Sequence, residues 1–100
     1  MSRLGREELL EAAKSALGAS TDETGAGDLV CDRGVVLIAE DPAEFRAIFK
    51  RAKKLSGYKW VVINRADLFA ANPASLGSKA GILDAEGNVL KNADVPRRSV

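Results

Sequence analysis

Two apolar, β-prone runs, Val35 to Ala39 and Tyr58 to Ile63, flank a stretch that reads as one complete amphipathic helix, Asp41 to Gly57. This arrangement constrains the fold most, because strands joined by a crossover helix favour parallel pairing with a right-handed connection. Val35, Val36, Leu37 and Ile38 are continuous apolar residues, which predicts a strand buried on both faces. The helix carries its own start and stop signals. Asp41 suits an N-cap, Pro42 the first helical position, Glu44 the reaching-back position of a capping box, and Gly57 a left-handed terminator. Phe45, Ile48, Phe49, Ala52 and Leu55 recur at helical spacing and form one apolar stripe. Arg46, Lys50, Arg51, Lys53 and Lys54 occupy the rest of the circumference, uninterrupted by any carboxylate after Glu44.

The flanking segments add elements to this unit. Arg6 to Leu17 reads as a first helix with Leu9, Leu10, Ala13, Ala16 and Leu17 on one side and Gly18 as terminator. Residues 19 to 28, ASTDETGAGD, read as a flexible connector. Leu29 to Cys31 is a short strand joined to Val35 by an Asp32-Arg33-Gly34 turn. Asn64 and Asp67 offer caps for a short helix through Phe69 and Ala71, ended by Asn72-Pro73. Ala80 to Leu83 and Val89 to Lys91 flank Asp84 to Asn88 as a terminal hairpin, and residues 96 to 100, PRRSV, read as a tail. The expected architecture is a single α+β or small α/β domain over residues 1 to 100. It has three to four helices around a mixed sheet of four to five strands.

Composition narrows the chemistry. The 100 residues contain no His and one Cys, which excludes an intrachain Ser-His-Asp or Cys-His nucleophile, a histidine metal ligand and an intrachain disulfide. Cys31, in a short apolar segment, reads as a structural thiol rather than a reactive one. The opening MSRLGREELLEAAK has no apolar signal-peptide core, and no later run approaches membrane-spanning length. A cytoplasmic protein without a membrane partner is the expectation. No cofactor or metal is implied: Ser75 to Lys79 lacks the order of a phosphate-cradling Walker loop, and Asp84 to Asn88 lacks the length of a calcium loop.

The net charge of +1 hides a polarity along the chain. Residues 1 to 45 hold ten carboxylates and four basic side chains, whereas residues 46 to 100 hold eleven basic and four acidic. Helix-dipole complementarity accounts for part of this. The excess falls on Arg46, Lys50, Arg51, Lys53, Lys54 and Lys59, with Tyr58 and Trp60 bracketing Lys59. Such a group suits phosphates with an aromatic ring stacked on a base, and Arg97 and Arg98 extend it in sequence. A second set comes from the parallel pairing, which brings Glu40, Asp41, Asn64, Arg65 and Asp67 to the carboxyl edge of the sheet, the usual ligand position in open α/β folds.

Val36 to Pro42 and Leu76-Gly77-Ser78-Lys79-Ala80-Gly81-Ile82 resemble the strand and Leu-Gly-x-x-Ala-Gly segments of the kink-turn-binding ribosomal protein family, over less than half of the chain. The Gly-x-Asn-Glu RNA contact of that family has no counterpart before this strand, so no assignment follows. The leading expectation is a small non-enzymatic binding domain for nucleic acid or another polyanion. Its rivals are an enzyme or small-ligand domain using the carboxyl-edge residues, and a subunit with a protein partner or self-association through the first helix.

Overall fold

Period-two alternation sorts the central strand residues onto two faces, and each face recruits its own helices. The protein is described by a computed structural model over residues 3–94. Leu37, Val61, Ile63 and Ile82 form one face with Phe45, Phe49, Ala52 and Ala71. Val36, Ile38, Trp60, Val62 and Leu83 form the other, covered by Leu9 and Ala13 of the first helix. Burying side chains of this size contributes about 1.5 to 3 kcal/mol each, so the two layers carry most of the favourable energy. Phe45 and Phe49 add an edge-to-face ring contact, with centroids 6.4 Å apart at 73°.

The elements run α1 (Arg6–Leu17), β1 (Ser20–Thr21), β2 (Leu29–Cys31), β3 (Gly34–Ile38), α2 (Phe45–Lys53), β4 (Lys59–Val62), α3 (Leu68–Ser75), β5 (Gly81–Leu83) and β6 (Val89–Lys91). They make a compact α+β domain with three α-helices and a mixed sheet of six strands in sequence order. The expected four to five strands are one too few. The extra strand is β1, a two-residue piece inside the segment read as a connector, antiparallel to β2 through Ser20↔Val30 and Thr21↔Leu29. Beyond it, Asp22 organises the turn by accepting from Thr24 N, Thr24 Oγ1 and Gly27 N at 2.9, 2.6 and 3.0 Å. Those bonds, the one from the Thr24 hydroxyl first, hold the Asp22 carboxyl below its ordinary pKa.

The centre of the sheet is parallel, as expected for β3 and β4: Val36 pairs with Trp60 and Ile38 with Val62. A second crossover through α3 makes β5 parallel to β4, with Trp60 opposite Gly81. Only glycine fits at position 81, because a Cβ there would strike the Trp60 ring. β2 and β6 flank the parallel centre through antiparallel hairpins, the first with the two-residue turn Asp32–Arg33, and β1 forms the edge beyond β2.

Three local readings need correction. The crossover helix starts with a 3-10 turn, Pro42–Glu44, capped by Asp41 through Ala43 N at 3.0 Å. It ends at Lys53, so Gly57 with φ 76° turns the loop and does not cap the helix. The Asp41 N–H does not donate to the Glu44 side chain, so the capping box does not form. Finally, α3 runs through Pro73 to Ser75. The missing Pro73 N–H leaves the Phe69 carbonyl without its helical donor, and Phe69 lies in solvent where water can replace it. The tail 96 to 100, with Arg97 and Arg98, lies outside the described residues.

Candidate functional site

The carboxyl edge of β3, β4 and β5 gathers the polar residues that parallel pairing predicts, and the segment leading into α1 takes up the side chains of two of them, Asn64 and Asp67. Asn64 accepts from Leu4 N and donates to Leu4 O, both at 3.0 Å, a paired bond that imitates a strand partner. Asn64 therefore does not cap the turn that follows it. Arg3 donates to Asp67 Oδ1 at 2.6 Å and to the Glu40 carbonyl at 2.8 Å. Asp67 Oδ2 is buried without a protein partner among the described residues. Arg6 spans the Ile38 carbonyl and Asp28, whose second oxygen accepts from Ile38 N at 2.8 Å. Arg65 lies 3.6 Å from Asp84. Asp41 is occupied as a cap. The five candidates do share one edge, but Asn64, Asp67 and Asp41 each spend their side chain on a separate structural contact, Arg65 makes only a long contact from a largely exposed side chain, and Glu40 contributes its backbone carbonyl.

The basic set is divided by the packing of α2. Arg46, Lys50 and Lys53 line a depression of about 250 Å3 between α2 and the end of α3, opposite Pro73, Ala74, Leu76, Gly77 and Ser78. Among the described residues no carboxylate lies in that lining. α3 itself has no charged residue, so nothing on the facing helix neutralises α2. Arg51 points elsewhere and donates to the Gly25 and Ala26 carbonyls, both at 3.2 Å, clamping the β1–β2 loop. Lys54 caps α2 and is exposed. Lys59 is 8% exposed and donates to the Leu55 carbonyl at 2.8 Å. Burial, then the like charge of Lys79, pushes its pKa below the ordinary lysine value.

The aromatic bracket around Lys59 does not join this surface. Alternation along β4 turns Trp60 to the α1 face, where it is buried and its Nε1 donates to the Arg33 carbonyl at 2.9 Å. Tyr58, the other half of the bracket, is 43% exposed but does not line the groove, and the most exposed aromatic is Phe69, 97% accessible, with Leu76 at 71%. Phe69 and Pro73 line an apolar depression of about 430 Å3, and Pro73 also borders the cationic one. Sequence reasoning missed Phe69 because it fell at the end of a helix expected to stop at Asn72. It also missed Lys79, which shares a cleft with Lys53 and Lys59. A signal was present: with β5 parallel to β4, the residues preceding each strand start must meet.

Among the described residues no group of three carboxylate or thiol side chains is placed to hold a metal ion, and no helix is long and apolar enough to cross a membrane. The apolar residues Leu9 and Ala13 of α1 are occupied by the sheet. The fold and surface thus define a small α+β domain with a cationic groove between two crossover helices. No protein-family model, curated protein or solved structure matches the chain.

Proposed function

We propose that the protein is a non-enzymatic binding domain that engages a polyanion, nucleic acid in the first instance, along the α2/α3 groove. The observation that carries this reading is the alignment of Arg46, Lys50 and Lys53 on one wall, with no carboxylate in the lining among the described residues. Phosphates track the α2 wall, releasing counterions as they bind. Phe69, exposed beyond Pro73, offers a flat apolar surface on which a base can stack. The enzyme alternative is disfavoured by the carboxyl edge, where most of the polar candidates are tied to the chain's own backbone and side chains.

Fluorescence anisotropy with a labelled single-stranded oligonucleotide across a salt series tests the reading. Affinity is expected to fall steeply with salt, by about 0.7 log units per log unit of salt for each phosphate contact. Lys50→Glu in the groove is expected to weaken binding by about tenfold at low salt and to flatten the slope. Lys14→Glu on α1, an identical charge change on the opposite face of the sheet, serves as its control. Absence of binding at low ionic strength, or equal losses from both variants, would sink the proposal.

A further inference from the structure

At the amino edge of the parallel strands, where α2 hands over to β4 and α3 to β5, lies a cleft of about 230 Å3. Three ammonium groups line it, Lys53, Lys59 and Lys79, together with Ser56, Gly57 and one carboxylate, Asp94. We propose that this cleft binds a phosphate-class oxyanion. The site stands apart from the polymer groove, sharing only Lys53 with it, and does not depend on that groove being occupied.

The charge arrangement carries the inference. Lys59 is 8% exposed as a residue, its ammonium is partly buried where it faces the cleft, and among the described residues it meets no carboxylate within salt-bridge distance. Its ammonium has three donors, and the Leu55 carbonyl takes one of them. A partly buried charge favours a partner of opposite sign, because desolvation disfavours the charged form. Among the described residues the lining carries three positive charges against one negative, an excess that a dianion offsets. A tetrahedral oxyanion also presents enough acceptor oxygens to take donors from several ammonium groups at once, which a single carboxylate does less well.

Lys79 is held where this requires it. It is the one non-glycine residue with a left-handed backbone among the described residues, at φ 66°. An L-residue meets a steric penalty in that conformation, and glycine would adopt it freely. A lysine retained in such a place brings its charge to the cleft beside Lys59. Burial first, and then the like charge of Lys79, lowers the Lys59 pKa, consistent with the two ammonium groups sharing the cleft.

The test uses the full chain and inorganic phosphate as the probe, with sodium chloride at matched ionic strength as reference. Phosphate is expected to raise the melting temperature by about 4 °C or more at concentrations several times its Kd. Phosphate also stabilises proteins non-specifically through exclusion from their surface, so the variants decide. Lys59→Met keeps the apolar stem, and Lys79→Gly suits the left-handed backbone, so both preserve the fold. Each is expected to lose the excess shift over chloride, whereas Lys50→Glu keeps it. No excess shift in the parent chain, or an equal shift in parent and both variants, overturns the site.

Two oligonucleotide arms identify the source of the phosphate. Tighter binding of a 5′-phosphorylated oligonucleotide than of its 5′-hydroxyl form, lost in Lys59→Met, supports a polymer end in the cleft. Equal binding of the two, with the inorganic phosphate shift intact, supports a small phosphorylated ligand. Oligonucleotide binding without any phosphate-specific shift removes this site and leaves the groove reading standing.

Discussion

The two ends of the parallel sheet make opposite use of their charged residues. At the carboxyl edge, Arg3, Arg6, Asn64, Asp67 and Asp28 are bound to one another or to backbone groups, and they tie the start of α1 to the sheet. At the amino edge and along α2, Lys50, Lys53 and Lys79 have no salt-bridge partner among the described residues. Residue type alone does not separate the two groups. The difference lies in what the chain places beside them: a returning N-terminal segment at one end, and uncharged α3 with open clefts at the other. Open α/β sheets commonly bind ligands at the carboxyl edge. In this protein that edge is stapled shut, and the unspent charge lies at the opposite end.

The largest effect that would sharpen this contrast is expected at Asp84, which follows β5 at the stapled edge. Its carboxylate is 3% exposed as a residue and accepts from Glu86 N, Asn88 N and Asn88 Nδ2 at 2.9, 2.9 and 3.0 Å. Asp84→Ala removes all three acceptances and is expected to cost about 3 kcal/mol in urea denaturation. Arg65→Ala, which removes only a long contact from a largely exposed guanidinium, is expected to cost less than about 1 kcal/mol. Similar losses from the two would show that the ion pair, and not the loop bonds, gives Asp84 its role.

Asn64→Ala comes next. It deprives both Leu4 N and Leu4 O of their partner, and a loss of about 2 kcal/mol is expected, together with faster hydrogen exchange at the Leu4 amide. Unchanged stability and exchange would break the contrast, because the carboxyl-edge groups would then be free for other work.

The smallest effect is expected at Lys59, and its sign is opposite. The groups facing its ammonium are Lys53, Lys79, Asp94 and the Leu55 carbonyl. Because its folded pKa lies below the ordinary 10.5, the unfolded chain binds the proton more tightly in the alkaline window between the two values. Stability from this group therefore rises as pH increases through that window, and its penalty is fully present below it. Lys59→Met is expected to be as stable as the parent at neutral pH or more so. The advantage should shrink as pH approaches 10.5 in paired denaturation curves. A variant markedly less stable at neutral pH would show that Lys59 supports the fold as the carboxyl-edge residues do.

Much of the architecture was legible because it rests on local periodicity. The span of α1 and its Gly18 terminator, the β3-α2-β4 unit and the final hairpin follow from apolar spacing and turn residues that need no distant partner. β1 was not legible, because Ser20 and Thr21 carry no apolar pattern and are ordered by pairing with β2. The end of α3 was misread because Pro73 opposes a helix locally, whereas packing against α2 and β5 carries the helix past it. For the candidate site, the basic character of α2 was readable and its partition was not. Arg51 and Lys50 are adjacent in sequence, yet one clamps a loop and the other faces a groove, since neighbours on a helix point about 100° apart.

What the sequence determined by itself was therefore a pair of parallel strands bridged by a helix with one apolar and one cationic side. The tertiary structure decided which cations are spent. It buried Trp60 away from Lys59, bound Asn64 to Leu4, and brought Lys79 beside Lys59 across 20 residues of chain. The physical reason is that a charge is neutralised or left available by neighbours in space, and those neighbours are chosen by strand order and helix packing.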